Sequence, residues 1–432
     1  MKFLFLFLIT FLISACVNKS SVIKPKEHVS DLVKVSQNIN TYSIKVKPEF
    51  ISTLKEYKKQ YFRVWNIDKI SVSLKEAMWA NYAYSPSNAY GANLQHINKS
   101  FFDNILDNSN FENFATINQK AISLKELNIR AMPTIKPVFL DPSKAGEGFP
   151  FDYLQNSTID ANKPLLISHY SKDKEWVFIE CSFTFGWVKS SDIVSIDKKH
   201  IDAWQKADQI FITKENVAIY SQDKEFLFKS RVGMVFSLLD EDKDNYYVLS
   251  VSRYKNTKPL FLKSKLSKNI SHKGILKFDT EYINQILGEV SKTNYGWGGI
   301  YSQRDCSSTL RDFYTPFGLW LPRNSYQQSR SGQVISLFKL NNSDKIKKIK
   351  QNAIPFKTLF YKKGHIGMYV GTINNRIIMF QNVWGVKTKK NNVEGRFIIG
   401  RPIFSTLEVG KNLKEYDTDA SMLNNLKSMT KL

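Results

Sequence analysis

A thiol nucleophile is assembled from a cysteine, a base and a group that orients the base, and this chain offers only three cysteines from which to start. Cys306 stands in the run Asp305-Cys306-Ser307-Ser308-Thr309, directly before an apolar-periodic segment of Leu310, Phe313 and Tyr314. Asp305 is the residue type that caps a helix start, so the spacing predicts a helix opening at Cys306 and ending before Pro316. There the unpaired amides and the positive dipole end lower a thiol's pKa and favour the thiolate. A free cysteine is also a common small core hydrophobe, and spacing alone does not separate the two readings.

The surrounding residues do. A Gly-rich loop, Tyr295-Gly296-Trp297-Gly298-Gly299, precedes the Asp-Cys-Ser triplet, and Pro322-Arg323 and Gln328 follow the helix. Downstream come Gly364-His365-Ile366-Gly367-Met368-Tyr369-Val370-Gly371 and Phe380-Gln381-Asn382-Val383-Trp384-Gly385-Val386. Two motifs in this order resemble the NlpC/P60 cysteine peptidases, papain-like enzymes that cut peptidoglycan stem peptides. The resemblance implies an α+β fold with Cys306 as nucleophile and His365 as base. It also implies oxyanion donors in the Cys306 amide and the Tyr295 hydroxyl, with Asp305 and Ser307 in the substrate-binding segment beside the nucleophile. The bond cut in this family joins γ-D-glutamate to a diamino acid, usually diaminopimelate. Arg323 can pair bidentately with a substrate carboxylate. Asn324 stands where one branch has an Asp that recognises a free peptide amino terminus.

The third catalytic group is expected from strand periodicity. The runs on either side of Asn374-Asn375 are strand-like, and pairing His365 with Gln381 centres the turn on Ile373. The two side chains then share a sheet face as cross-strand neighbours. The Gln381 oxygen would accept the imidazole Nδ1–H and leave Nε2 toward Cys306. Gln381 is a departure, because the family often has a histidine there. Being neutral, it can orient the ring but stabilises an imidazolium less than a charged group would.

These residues need elements to hold them, and the rest of the 432-residue chain divides by pattern. Residues 1–15 carry Lys2 and then an apolar run too short to span a bilayer, the form of a secretory signal peptide. Ile13-Ser14-Ala15-Cys16 resembles the bacterial lipobox, which implies lipidation of Cys16 and attachment to the membrane through that lipid. Val17 follows, so sorting to the outer membrane of a two-membrane bacterium is expected. Residues 16–39 read as a polar tether, and 40–115 as a helical domain with periodicity over Leu54 to Trp65 and Leu74 to Tyr84. Short alternating runs separated by turns predict a small barrel over 116–198, whose Gly186-Trp187-Val188 resembles bacterial SH3 domains. A second barrel fits 199–268, the catalytic domain 269–410, and a frayed polar tail 411–432. Cys181 lies in a strand pattern and reads as core, as does His169 at a strand end; His96 reads as a surface residue.

Lys and Arg number 62 against 39 Asp and Glu, a formal charge of +23 that favours anionic surfaces. No lysine-rich arm, Arg-rich helix or zinc-finger spacing supports nucleic acid as a partner. The six histidines lack metal-ligand spacing, so neither a metal nor another cofactor is expected. Peptidoglycan stem peptides remain the expected substrate. Two other classes stay open: a non-catalytic wall-binding lipoprotein whose SH3 units do the work, and a papain-like amidase or acyltransferase.

Overall fold

The computed structural model describes residues 28–43, 46–253 and 259–432; the signal segment and Cys16 lie outside these. Short helices come first: α1 (Asp31–Lys34), α2 (Asn40–Ser43), α3 (Leu54–Tyr61), α4 (Leu74–Ala77), α5 (Trp79–Ala83) and α6 (Lys99–Asn108). Reciprocal Thr53/Glu56 and Ser73/Glu76 capping boxes start α3 and α4, satisfying backbone donors that the helices cannot. Residues 28–39 are not the free tether expected. Asp31 accepts from the Thr406 amide and hydroxyl, both at 2.8 Å. Gln37 accepts from the Phe404 amide at 3.0 Å and donates to its carbonyl at 2.8 Å. A primary amide thus caps a strand edge as a neighbouring strand would, a pairing that polar composition cannot reveal.

The first barrel is a seven-stranded antiparallel sheet of β1 (Gln119–Ser123), β2 (Leu127–Arg130), β3 (Gln155–Ile159), β4 (Pro164–Tyr170), β5 (Trp176–Glu180), β6 (Phe185–Lys189) and β7 (Ile193–Ser195). Helix α7 (Lys198–Lys206) leads to the second barrel, which begins with β8 (Gln209–Ile212) and the small β9 (Ala218–Tyr220) and β10 (Phe226–Lys229) pair. It is completed by β11 (Val235–Glu241), β12 (Asn245–Arg253), β13 (Pro259–Ser267) and β14 (Ser271–Lys273). The helical segment joins the two. Tyr57, Tyr61 and Trp65 share one buried cluster with Phe178 and Trp187 of the first barrel and Phe211 and Val235 of the second. Aromatic side chains of this size each contribute roughly 1.5–3 kcal/mol on full burial, enough to fix the modules against one another.

The catalytic unit adds α8 (Thr280–Val290), α9 (Cys306–Tyr314), α10 (Ser325–Gln328) and α11 (Asn342–Asn352) to a six-stranded antiparallel sheet. Its strands are β15 (Gln333–Ser336), β16 (Thr358–Lys362), β17 (His365–Ile373), β18 (Arg376–Lys390), β19 (Val393–Thr406) and, after α12 (Met422–Asn425), β20 (Ser428–Lys431). Leu310, Phe313 and Tyr314 of α9 pack on Ile366, Met368 and Phe380, which sets the helix that begins at Cys306 on the strands that carry His365 and Gln381. The expected frayed tail is corrected. Strand β20 lies inside the sheet between β15 and β16, with Met429 fully buried. Four residues with three polar ones among them, Ser428, Thr430 and Lys431, are too short for a period-2 signal to register.

Candidate active site

The helix bearing Cys306 starts as its chemistry dictates. Asp305 accepts from the Ser308 amide at 2.8 Å while the Ser308 hydroxyl accepts from the Asp305 amide at 2.9 Å. Asp305 is itself held by Arg323, whose Nη2 donates at 2.6 Å and Nη1 at 3.3 Å. Arg323 also donates to the Ser307 hydroxyl at 2.9 Å and, through Nε, to Ser157 of the first barrel at 2.6 Å. Both partners are buried, so this is a structural ion pair rather than an arginine open to bidentate pairing with substrate. The sequence expectation for Arg323 is corrected accordingly. Burial alone would raise the Asp305 carboxyl, but the charge and hydrogen bonds of Arg323 and the Ser308 amide more than offset it and hold it below the usual range. Ser307 hydrogen-bonds Asp305 at 3.2 Å, and Asn324 is the N-cap of α10, its oxygen accepting from Gln327 at 2.9 Å. Gln328 donates to the Ser307 and Pro322 carbonyls, tying the two helix starts together.

The Gly-rich loop is pressed between the nucleophile helix and the barrels. Gly298 and Gly299 have φ of 59° and 85°, and a Cβ on either would collide with Gln155 or Thr158 of β3, so only glycine fits both the left-handed backbone and the close approach. Trp297 donates its indole N–H to the Asp152 carbonyl at 2.9 Å, and Gln155 donates to the Gly298 carbonyl at 3.2 Å. From the second barrel, Arg231 donates to the carbonyls of Ser302 and Gln303 at 2.9 and 3.0 Å. Arg304, fully buried, pairs with Glu215 and with Asp312 of α9, each at 2.7 Å. Neither barrel is a passive appendage: each supplies side chains that set the position of α9.

His365 meets Gln381, with imidazole Nε2 2.7 Å from the Gln381 oxygen. The register differs from the sequence expectation. Met368 faces Phe380 and Ile373 faces Arg376, so the turn is Asn374-Asn375, both with positive φ, and a bulge lies between Tyr369 and Gly371. His365 and Gln381 are therefore diagonal neighbours, and a two-residue offset preserves the shared face. The ring nitrogens are also exchanged relative to expectation. Nε2 takes the glutamine, which leaves Nδ1 as the nitrogen available to the thiol. The Ile366 amide, next to His365, and the Ser307 amide both point at the Cys306 sulfur.

The thiol itself is not depressed as the helix-start argument predicts. Burial, reinforced by the Asp305 charge, pushes Cys306 up to about 12. Burial, with help from Lys362, pushes His365 down to about 4. The resting pair is thus neutral thiol beside neutral imidazole, because desolvation outweighs the amides and the dipole at this depth. Tyr295, raised well above its ordinary value by burial and by the Asp305 charge, keeps its phenolic proton and is a donor.

Two lobes of a cleft meet at these residues. One, of about 680 Å³, is lined by Cys306, Asp305, Ser307, Arg323 and Asn324, by Gln155 and Glu180 of the first barrel, and by Glu76 of the helical segment. The other, of about 380 Å³, is lined by His365, Gln381, Lys362, Lys363 and Arg396. Tyr295, Trp297 and Gly364 line both. Sequence reasoning missed Ser157, Gln155, Arg231 and Glu215, which approach from other modules. Asn382, next to Gln381, donates to the Arg304 carbonyl at 2.8 Å and the Thr309 hydroxyl at 2.9 Å. His169 is a buried structural residue between Ser168 and the Ser109 carbonyl. Cys181 is buried, and His96 lies on the Tyr90 ring.

The fold brings a cysteine at a helix start and a histidine paired to a glutamine to one cleft, in a unit that leans on two small barrels. Four family models match the chain in series: the N-terminal NLPC_P60 stabilising domain over 5–114, an SH3 domain of SH3b1 type over 137–189, an SH3 domain of SH3b2 type over 197–243, and the NlpC/P60 family over 292–396. Residues 292–396 thus form an NlpC/P60 domain, and two SH3-type modules and the stabilising domain that goes with it precede it in the chain. Among solved structures, it is similar in fold to an NlpC/P60 endopeptidase from Photobacterium damselae subsp. piscicida, at 24% identity and a TM-score of 0.81, covering 92% of this chain and 97% of that one. An NlpC/P60 family protein from Bacillus cereus ATCC 10987 matches at 15% identity and a TM-score of 0.47, covering 72% and 99%. No curated protein matches the chain.

Proposed function

We propose that this protein is a cysteine endopeptidase that cuts peptidoglycan stem peptides at the bond between γ-D-glutamate and diaminopimelate. The observation that carries the reading is the convergence of Cys306, at the start of α9, with the His365–Gln381 pair at the junction of two lobes of one cleft. As the Cys306 sulfur attacks the γ-glutamyl carbonyl, His365 Nδ1 takes the thiol proton, and the carbonyl oxygen is received by the Cys306 amide and the Tyr295 hydroxyl. Collapse returns that proton to the departing amine and leaves a thioester, which water then hydrolyses with His365 again acting as base. Since the imidazole serves the leaving amine, the leaving group occupies the lobe on the His365 side. Lys362, Lys363 and Arg396 line that lobe and suit the free carboxylates of a diaminopimelate residue.

Mass spectrometry of defined stem peptides tests the reading. Cys306→Ala should fold and leave the peptides intact, while the unaltered enzyme releases a fragment beginning with the diamino acid. Turnover by a pure preparation of Cys306→Ala would remove the nucleophile assignment, and cleavage at another bond would remove the substrate assignment.

The location proposed is the periplasmic face of the outer membrane, through a lipid on Cys16, and its support is the Ile13-Ser14-Ala15-Cys16 motif. Cys16→Ala should move the protein from the membrane fraction to the soluble fraction. Persistence on membranes at high salt, where the +23 surface is screened, would show that the lipid is not the anchor.

A further inference from the structure

We infer that Ser405 is a positioning residue for the reaction: it decides which nitrogen of His365 carries the proton. This rests on reading Cys306 and His365 as nucleophile and base.

A glutamine is a two-faced orienting group. Its side chain ends in one acceptor and one donor of nearly equal shape, so a Gln381 turned by 180° would offer its NH2 to His365 instead of its oxygen. The ring would then have to accept at Nε2 and carry its proton on Nδ1, the nitrogen needed to take the thiol proton. A neighbouring strand removes this ambiguity. Gln381 Nε2 donates to the Ser405 hydroxyl at 2.6 Å, and Ser405 in turn donates to the Thr406 carbonyl at 3.0 Å. A carbonyl can only accept, so it takes the single hydroxyl proton and leaves Ser405 to accept from Gln381. The Gln381 NH2 must therefore face Ser405 and its oxygen must face His365, which places the ring proton on Nε2 and the lone pair on Nδ1.

The geometry is that of one sheet face. Ser405 pairs with Met379 while Gln381 pairs with Ile403, so Ser405 and Gln381 stand two residues apart across the β18–β19 ladder, the same diagonal offset that joins Gln381 to His365. Ser405 is fully buried and Gln381 nearly so, leaving water little access to replace a missing partner.

The test uses full-length enzyme with Ser405→Ala, Ser405→Thr, Gln381→Glu and the double variant Gln381→Glu/Ser405→Ala. Two readings are taken: kcat and KM on a stem peptide, and the His365 tautomer from the ¹⁵N shifts of ring-labelled protein. The tautomer reading needs no turnover, so it separates failure of this inference from failure of the peptidase reading. Ser405→Ala should lower kcat by roughly ten- to a hundredfold with KM little changed, and should move the ring proton partly onto Nδ1. Ser405→Thr, which keeps the hydroxyl, should retain both properties. In the Gln381→Glu background both carboxylate oxygens accept, so adding Ser405→Ala should leave the ring proton on Nε2. Should Ser405→Ala fail to fold, Ser405→Cys, a weaker acceptor of similar volume, is read the same way. An unchanged tautomer in Ser405→Ala overturns the inference. So does an equal further loss of kcat on adding Ser405→Ala to Gln381→Glu, which would mark Ser405 as a packing residue only.

Discussion

Replacing Arg323 with methionine separates a structural arginine from a substrate-binding one. In the folded protein four of the five guanidinium N–H donors are taken: two by Asp305, one by Ser307 and one by Ser157 of the first barrel. Removing one partner of a buried ion pair typically costs about 3–5 kcal/mol, because the other charge is left without compensation. Asp305 would keep the Ser308 amide at 2.8 Å and the Ser307 hydroxyl at 3.2 Å, so the lower end applies, about 3 kcal/mol, or roughly two decades in the unfolding equilibrium of the catalytic unit. The pH dependence carries a sign. The Asp305 carboxyl is held below its ordinary value, so its contribution is present above the unfolded carboxylate range and fades as pH falls through the depressed one. The deficit of Arg323→Met should therefore be largest near neutrality and narrow in acid. Urea unfolding followed by the fluorescence of Trp297 and its neighbours, at pH 7 and pH 4, measures both quantities, and kcat and KM are taken alongside. An unchanged urea midpoint with only KM raised would refute the argument and restore Arg323 as a substrate contact.

Three further outcomes are expected. Neutral His365 is the competent form and its pKa is pushed down to about 4, so kcat/KM should stay level from pH 7 to about pH 5 and fall near 4; an acid limb near 6.5 would contradict the burial argument. Because the unfolded histidine binds protons more readily than the folded one, stability should also decline as pH falls from about 6.5 towards 4. Gln381→Leu should lose activity tenfold or more with a small change in stability, whereas Asn382→Leu should lower stability by about 1–3 kcal/mol, since the Thr309 hydroxyl loses its donor and the Arg304 carbonyl keeps only the Gly296 amide. The reverse pattern would show that Asn382, not Gln381, orients the histidine.

What could be read from sequence was whatever local chemistry decides. The helix start at Cys306 follows from Asp305 and Ser308 acting within four residues. The shared face of His365 and Gln381 follows from strand periodicity, which survived a two-residue error in register because that error is even. The direction of the Cys306 shift did not follow, since it depends on how deeply distant segments bury the sulfur. Nor did the partner of Arg323: Ser157 is far away in the chain and lies on another module. Ser405 has no motif around it, and its role exists only through the neighbouring strand. The barrels were legible as barrels from their turns and alternating runs. That Gln155, Arg231 and Glu215 would be the residues braced against the catalytic loop was not, because no periodicity encodes which exposed face of one module meets another.

Strand β20 carries a consequence for how the molecule is made. It lies between β15 and β16, so residues 333–336 have no ladder partner in the catalytic sheet until residues 428–431 arrive. A chain that emerges from its N-terminal end can complete both barrels early, but the sheet that holds His365 and Gln381 closes last. Until then β15 is detached and β16 offers an open edge, a template for pairing with the wrong chain. Timing is thereby built into the topology: a growing or threading chain carries its nucleophile for more than a hundred residues before the surrounding sheet is whole.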